Sequence, residues 1–317
     1  MSVSFTGIGG ALPRSRIRND NFPSVTDAWI RQRTGVVERR WCDSGESLVE
    51  LAGAASSEAV VDADLNPHDV DCVIVATTTH NPNSPALAPL LATRIGADVI
   101  PAFDVNSACS GFLYASMCAT ALISQGCAKN VLVCAAEKMS SLVYDADPSV
   151  SVLFGDGAGA VVLSRTRCSA DRDCSPKFFM SSDGHAGDLL YIDSLTEQLV
   201  MKDGVAVYAR AVNSMAESIE NALSAMGMSV SDIDLVIPHQ ANSRIVSAVQ
   251  SKLGLEPDRM VDSIALTGNT SAASIPLALW GAHTSGRLKP GNRLALAAFG
   301  AGVTWGAGIV GWRSCVC

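Results

Sequence analysis

A chain of 317 residues, 48% hydrophobic and 17% charged, is long enough for one large or two medium domains with filled cores, and its composition excludes a disordered chain. The net charge of −8 excludes a global basic field for nucleic acid or anionic membrane, so an acidic partner has to meet a local cluster of Arg and Lys. Residues 1–11 lack the basic segment and long apolar run of a signal peptide, and the apolar stretches are strand-sized. The ten cysteines lack paired C-x-x-C spacing, so reduced cytoplasmic thiols are expected, with no metal site and no membrane span.

Residues 3–13 read as a short strand and a glycine turn. In residues 26–35, Thr26 or Asp27 can cap a short helix that Gly35 ends. Trp29 and Arg33, four apart, share one face of it. An indole and a guanidinium there can grip a flat base or a phosphate; alternatively, Trp29 anchors a loop and Arg33 makes a surface ion pair. Arg39 and Arg40 add local positive charge. The apolar spacing is helical from 47 to 63, Asn66-Pro67 breaks it, and 70–77 is a buried strand. Pro82, Pro85 and Pro89 predict a loop leading into a helix that ends near Gly96.

Residues 102–115 run from an apolar strand through a small-residue turn into a helical pattern carried by Phe112, Tyr114 and Ala115. This puts Cys109 where strand becomes helix. Unpaired N–H groups and the macrodipole favour an anion there, so the thiol is expected to ionise more readily than free Cys, whose pKa is near ~8.5. A single cysteine is more often inert core, and the rest of the chain has to decide between the two readings. Residues 131–136 are a second buried strand. The glycine turn at 155–159 feeds a third; no helix pattern follows it and no Lys-Ser/Thr closes it, so it reads as structural and not as a phosphate loop.

The second half repeats the first. Residues 69–75 match 232–238, 131–136 match 294–298, 155–163 match 300–310, and the start of the Cys109 helix matches 269–273. A duplicated βαβ-rich unit of about 150 residues predicts an α/β protein in which two halves stack their sheets on shared central helices, a five-layered αβαβα core. The N-terminal half, with the cysteine, is placed at 1–165. Residues 166–203 are read as a linker excursion over the active-site face, and 204–317 as the C-terminal half. Within it, Pro238-His239-Gln240-Ala241-Asn242 follows a buried strand, at the carboxyl end where α/β folds place their sites. Residues 268–274 are a small-residue turn into a helix, and the tight turn at 299–306 can offer backbone N–H groups to a pocket. If the repeat holds, Cys109, His239 and Asn269 face one end of the molecule, which favours a catalytic reading.

These motifs, Trp29-Ile30-x-x-Arg33-Thr34-Gly35, the Cys109-Ser110-Gly111-Phe112 turn, Gly155 to Ala160, Pro238 to Asn242, Gly268 to Ser274 and Phe299 to Gly306, resemble nearly end to end the β-ketoacyl-(acyl carrier protein) synthase III family of thiolase-fold condensing enzymes. The resemblance implies a homodimeric acyltransferase of fatty-acid initiation, using coenzyme A thioesters as substrates and no cofactor. Cys109 would take an acyl group from acyl-CoA, with backbone N–H groups of Cys109 and Ala301 receiving the oxyanion. His239 and Asn269 would stabilise the enolate left when a malonyl thioester, carried by acyl carrier protein, loses CO₂. It further implies substrate contacts for Trp29, Arg33, Asn242, Phe154 and a gating Ser84, and carrier-protein docking for Arg210, Arg244 and Lys252.

The chain departs from the family pattern in three places. The Arg that many relatives carry after Asp147-Pro148 is replaced by Ser149, the docking Lys expected near Ala209 is absent, and the bulky gate residue gives way to Ser84. A starter condensing enzyme or acyltransferase of a specialised pathway therefore stays open, as does a non-catalytic partner subunit, although the latter typically loses the Cys or His present here. A plain thiolase would want a second Cys in the 300–306 turn and a hydroxymethylglutaryl-CoA synthase a catalytic Glu; neither is found. Cys315 and Cys317 receive no role.

Overall fold

The computed structural model describes residues 2–80, 84–97, 99–143, 147–167, 175–314 and 316; Pro82, Cys315 and Cys317 lie outside them. The first half comprises β1 (Ser2–Ala11), β2 (Ser15–Arg18), α1 (Asp27–Thr34), β3 (Glu38–Trp41), α2 (Leu48–Asp62), β4 (Cys72–Ala76), α3 (Leu87–Ile95) and β5 (Ala102–Val105). It continues with α4 (Gly111–Ser124), β6 (Asn130–Lys138), the single turns α5 (Ser140–Val143) and α6 (Pro148–Ser151), and β7 (Asp156–Thr166). The second half comprises β8 (Lys177–Ser182), β9 (Leu190–Ile192), β10 (Leu199–Met201), α7 (Gly204–Ala225), β11 (Leu235–Pro238) and α8 (Ser243–Lys252). It ends with α9 (Ile264–Thr267), α10 (Ser274–Thr284), β12 (Arg293–Gly300) and β13 (Thr304–Gly311).

The helix starts follow from local chemistry. The Thr26 hydroxyl accepts the Trp29 N–H of α1, the Ser47 hydroxyl the Glu50 N–H of α2, and the Asp203 carboxylate the Val205 and Ala206 N–H groups of α7, each satisfying orphan donors of a first turn.

The first sheet has the order β1-β7-β6-β4-β5 and the second β11-β12-β13-β8. β4 lies parallel to β5 and β6, as β11 lies parallel to β12, and β7 and β13 run antiparallel to their neighbours. A parallel bridge from Val236 to Met260 stands beside β11 where β5 stands beside β4, so the two sheets share one topology. Between them, Phe112, Leu113 and Ala119 of α4 and Ile275, Ala278 and Leu279 of α10 pack with the inward side chains of both sheets. α2 and α3 cover the outer face of the first sheet, α7 and α8 that of the second. The result is the five-layered αβαβα arrangement of the thiolase fold.

The segment expected as a linker over 166–203 differs from that expectation. Lys177–Ser182 is β8, paired antiparallel with β13 and standing in the second sheet where β1 stands in the first. Its alternation is that of a strand: Phe178 enters the central core and Phe179 the outer one. The polar composition of the residues before it hides that period. The second sheet therefore starts before residue 204, and β9 and β10 form a separate antiparallel ribbon.

α2 lies close on β1 because a small residue faces it: a Cβ at Gly9 would stand 2.1 Å from the Ala55 carbonyl oxygen. Gly9→Ala is expected to cost about 2 kcal/mol of unfolding free energy through overpacking, measurable as a lower urea midpoint with unchanged slope.

Candidate active site

Cys109 sits in a single 3-10 turn, Ala108–Ser110, immediately before α4. Ala108 adopts a left-handed conformation, φ 45°, which turns the chain sharply so that Cys109 faces the gap between the halves. The turn is tied to the second half: the Ser110 hydroxyl donates to the Thr304 carbonyl at 3.0 Å, and the Thr304 hydroxyl to the Ser107 carbonyl at 3.2 Å. A Cβ at Gly300 would lie 2.8 Å from the Cys109 nitrogen, so only glycine lets the turn after β12 approach this backbone. Ala301, next in that turn, lines the same cavity as Cys109.

The thiol is not the ready anion its position suggests. Burial pushes it up to about 12, with the Glu137 carboxylate adding to the shift, while the Ser271 hydroxyl and the backbone N–H of Cys109 act against it. The helix start favours a thiolate, but removing the charge from water outweighs it. Sγ donates to the Ser271 hydroxyl at 3.6 Å.

His239 follows β11 and is held by its backbone N–H on the Ala297 carbonyl at 2.7 Å. Burial lowers its pKa to about 3, so the ring is neutral. Its Nδ1 is 2.5 Å from the Ser274 hydroxyl, and that hydroxyl accepts the Gln240 N–H at 3.3 Å. With the Ser274 proton donated to Nδ1, Nε2 carries the ring hydrogen and is a donor. Buried Gln240 pins the loop, donating to the Pro238 and Val261 carbonyls and accepting from the Ser263 N–H.

The Asn269 backbone is stitched to the first half, its N–H on the Leu153 carbonyl at 2.8 Å and its carbonyl accepting the Gly155 N–H at 3.0 Å. Its Oδ1 accepts the Ser271 N–H at 2.9 Å, which orients the amide and leaves Nδ2 as a donor. Cys109, His239 and Asn269 thus line one cavity of about 660 Å³ with two neutral donors and a neutral thiol. That combination suits nucleophilic attack on a carbonyl followed by stabilisation of a second carbonyl as its oxygen gains charge.

Trp29 and Arg33 stand at the mouth, the guanidinium 4.8 Å from the indole centroid. Asn242 lines the cavity too, but part of its amide is committed: Oδ1 caps α8 through the Arg244 N–H at 2.9 Å, and Nδ2 donates to the Arg33 carbonyl at 3.0 Å. One amide hydrogen and one lone pair remain. Phe154 is buried in the wall, near Met139, Leu142, Leu199 and Met201. Arg244 reaches both the cavity and an outer groove, its guanidinium 5.7 Å from the Tyr208 ring centroid.

Several expected placements differ. Ser84 is exposed and outside the cavity lining. The Asp104 carboxylate accepts the Leu87 and Ala88 N–H groups, and this anchors α3 and the turn before it at the β5 edge. Arg210 pairs with Asp183 and Lys252 with Glu217, each at 3.2 Å and outside the cavity lining, positions that do not conflict with the expected docking role. Arg39 adds no surface charge: it is fully buried, donating to the Ile17, Asn19 and Val152 oxygens, and burial lowers its pKa to about 10. Arg40 is half-buried and donates to the Pro13 carbonyl.

Ser271, Ser274 and Glu137 were given no role by the sequence. A lone acidic residue closing the apolar run 131–136 was the available signal for Glu137. For the two serines it was the density of hydroxyls in 268–274.

Comparison with known proteins gives a consistent result. Models of 3-oxoacyl-[acyl-carrier-protein] synthase III match residues 103–184, and of its C-terminal part residues 223–312. The β-ketoacyl-[acyl-carrier-protein] synthase III 3 of Streptomyces coelicolor is 41% identical over 323 residues, covering 97% of this chain and 96% of its own. The crystal structure of 3-oxoacyl-[acyl-carrier-protein] synthase III from Aquifex aeolicus superposes with a TM-score of 0.92 at 39% identity, covering 98% of this chain and all of its own. The priming β-ketosynthase of the R1128 polyketide pathway gives 0.91 at 32% identity, covering 98% and 97%.

Because burial holds the His239 pKa to about 3, its ring resonances should stay unshifted in an NMR titration from pH 8 to pH 5. An inflection near the ordinary imidazole value would show a ring that takes up a proton freely.

Proposed function

The chain belongs to the 3-oxoacyl-[acyl-carrier-protein] synthase III family of condensing acyltransferases, and we propose that it joins an acyl group held on Cys109 to a malonyl thioester with loss of CO₂, the initiating condensation of fatty-acid synthesis. The observation that supports this reading is the convergence of Cys109, His239 and Asn269, each buried, on one cavity.

The Cys109 sulfur attacks the thioester carbonyl of acyl-CoA, and the oxyanion is received by the backbone N–H groups of Cys109 and Ala301, each donor worth about 3 kcal/mol. Coenzyme A leaves as the free thiol. The malonyl thioester of the acyl carrier protein then enters, and His239 Nε2–H and Asn269 Nδ2–H donate to its thioester carbonyl. As the carboxylate departs as CO₂, the electron pair passes into an enolate held by these donors. The enolate carbon attacks the acyl-Cys109 carbonyl, the carbon–sulfur bond to Cys109 breaks, and the sulfur takes up a proton to regain the thiol as the β-ketoacyl product is released. Each step transfers an acyl group or forms a carbon–carbon bond with no net electron exchange, so the thioesters are the only cosubstrates needed. A neutral His239 suits this role, since donating a hydrogen bond needs no protonated ring.

At the mouth, Trp29 and Arg33 meet the adenine and phosphates of coenzyme A, Asn242 its pantetheine arm, and Phe154 bounds the acyl group. Arg244, with Arg210 and Lys252 farther out, receives the acidic carrier protein. A second copy of the chain covers the open edge of the first sheet at β5, where Phe103 is 39% exposed and Leu90 of α3 40% exposed. The six cysteines among the described residues are free thiols, which supports a cytoplasmic setting. Among the described residues no helix is long and apolar enough to cross a membrane. Priming of a specialised pathway is the second reading, favoured by the likeness to a polyketide-priming ketosynthase and by Ser149 standing where many relatives carry Arg.

Incubation with a panel of acyl-CoAs should give one acyl adduct on Cys109 by intact mass, absent in Cys109→Ala. His239→Ala and Asn269→Ala should still load but lose condensation by about a hundredfold or more. Loading by carrier-bound acyl groups alone would favour the specialised reading, and no loading from any donor would refute the enzymatic one.

A further inference from the structure

The mechanism leaves one proton unassigned. Cys109 is a neutral buried thiol, and it must lose its proton as sulfur attacks. With Ser274 donating to Nδ1, Nε2 carries the ring hydrogen and His239 is poorly placed to take the thiol proton. The contact the thiol does make is to the Ser271 hydroxyl, which accepts from Sγ at 3.6 Å.

Behind Ser271 lies a group the mechanism has not used. Glu137, near the end of β6, is fully buried. Its Oε2 accepts from the Thr77, Thr78 and Thr79 turn: the Thr78 and Thr79 N–H groups at 3.0 and 3.1 Å, the Thr79 hydroxyl at 2.7 Å and the Thr77 hydroxyl at 3.4 Å. Among the described residues, Oε1 has no hydrogen-bond partner. A buried carboxyl oxygen left bare beside a fully satisfied one is costly and calls for an explanation. The Ser271 hydroxyl is near enough to favour the ionised carboxyl, while burial, the larger effect, raises its pKa and makes it a stronger base than a free Glu. Among the described residues, the groups facing the carboxyl are Thr77, Thr78, Thr79, Ser271 and the Cys109 thiol, and of these only Cys109 titrates.

We propose that Ser271 and Glu137 form the proton relay that activates Cys109. The thiol proton passes to the Ser271 oxygen as the Ser271 hydroxyl proton passes to Glu137 Oε1, and the sulfur forms its bond to the thioester carbonyl carbon. When the tetrahedral intermediate collapses, the bond to the coenzyme A sulfur breaks and the proton returns from Glu137 through Ser271 to that leaving sulfur. No net charge is created outside the pair, so the relay works in a dry site where a free thiolate is disfavoured. Ser271 touches the reacting sulfur, and Glu137 acts through it as a positioning residue and proton holder. The inference rests on Cys109 as the acylated nucleophile.

Alkylation of Cys109 by iodoacetamide, read by peptide mass from pH 5 to pH 10 on the full chain, tests the relay without any acyl donor. With an internal acceptor, the wild-type rate is level across several pH units above the carboxyl's own pKa. Glu137→Gln and Ser271→Ala lose that plateau, climb about tenfold per pH unit, and fall at least about tenfold below wild type at pH 7. The double variant is no slower than either single one, because the two act as a unit. Faster alkylation in Glu137→Gln would show a charge that merely repels the thiolate, and a wild-type rate already climbing tenfold per unit would show no internal acceptor; either overturns the proposal. Ser271→Ala leaves the Thr77–Thr79 turn intact and decides the matter if Glu137→Gln does not fold. Failure of the wild type to take an acyl group from any thioester would refute the proposed function while leaving the alkylation profile to stand or fall separately.

Discussion

The site depends on how closely the turn after β12 approaches the backbone at Cys109. Gly300 has no Cβ because one would sit 2.8 Å from the Cys109 nitrogen and 3.1 Å from that of Ser110. The approach brings backbone stretches from the two halves together at the cavity that Cys109 and Ala301 both line, where the proposed oxyanion would form. It also lets Ser110 and Thr304 bond across the gap, which fixes the turn against rotation. Backbone donors of this kind need no side-chain ordering when substrate arrives, and much of their catalytic worth comes from being in place beforehand. The central α4 and α10 layer holds the two sheets at the distance this requires.

The electrostatic character of the site follows from burial. The Cys109 thiol is pushed up to about 12, His239 is lowered to about 3, and burial raises the Glu137 carboxyl as well. A helix start favours a thiolate, but the dipole acts over only the first turn, while desolvation acts on the whole charge. A resting site whose nucleophile and hydrogen-bond donors are uncharged suits a reaction whose substrate charges are transient, an oxyanion in one step and an enolate in the next. Each is met by a neutral donor already aimed at it.

Much of this was legible in the sequence because duplication leaves a repeated pattern. Matching 69–75 to 232–238 and 131–136 to 294–298 is enough to predict two like sheets, and the small-residue turns at 109 and 269 predict where their helices begin. What escaped is what periodicity does not encode. β8 lay hidden behind a polar run, because a strand of six residues is outvoted by the composition of its surroundings. Arg39 reads as surface charge in any sequence, and only the fold shows it buried against the Ile17, Asn19 and Val152 oxygens. Ser84 was expected at the gate from its loop position, and the structure places it exposed and outside the cavity lining.

The duplication also places Cys109 and Asn269 at equivalent helix starts on opposite sides of one cavity. The 3-10 turns before α4 and α10 are equivalents, Ala108–Ser110 against Ser271–Ala273, and each begins on a left-handed residue, Ala108 at φ 45° and Ser271 at φ 50°. In the first turn the residue after the bend is Cys109, in the second Ala272, so one copy offers a reactive sulfur where the other offers a methyl group. The bend that turns Cys109 toward the cavity in one half thus meets its equivalent in the other, with the Ser271 hydroxyl 3.6 Å from the Cys109 sulfur. Left-handed conformations are unfavourable for Ala and Ser, and their presence at both equivalents shows the turn geometry being maintained against local preference. An ancestral symmetric pair of helix starts would face each other across the central layer with nothing to distinguish them. Placing a thiol in one, and Asn269 just before the other, is sufficient to make the shared cavity directional.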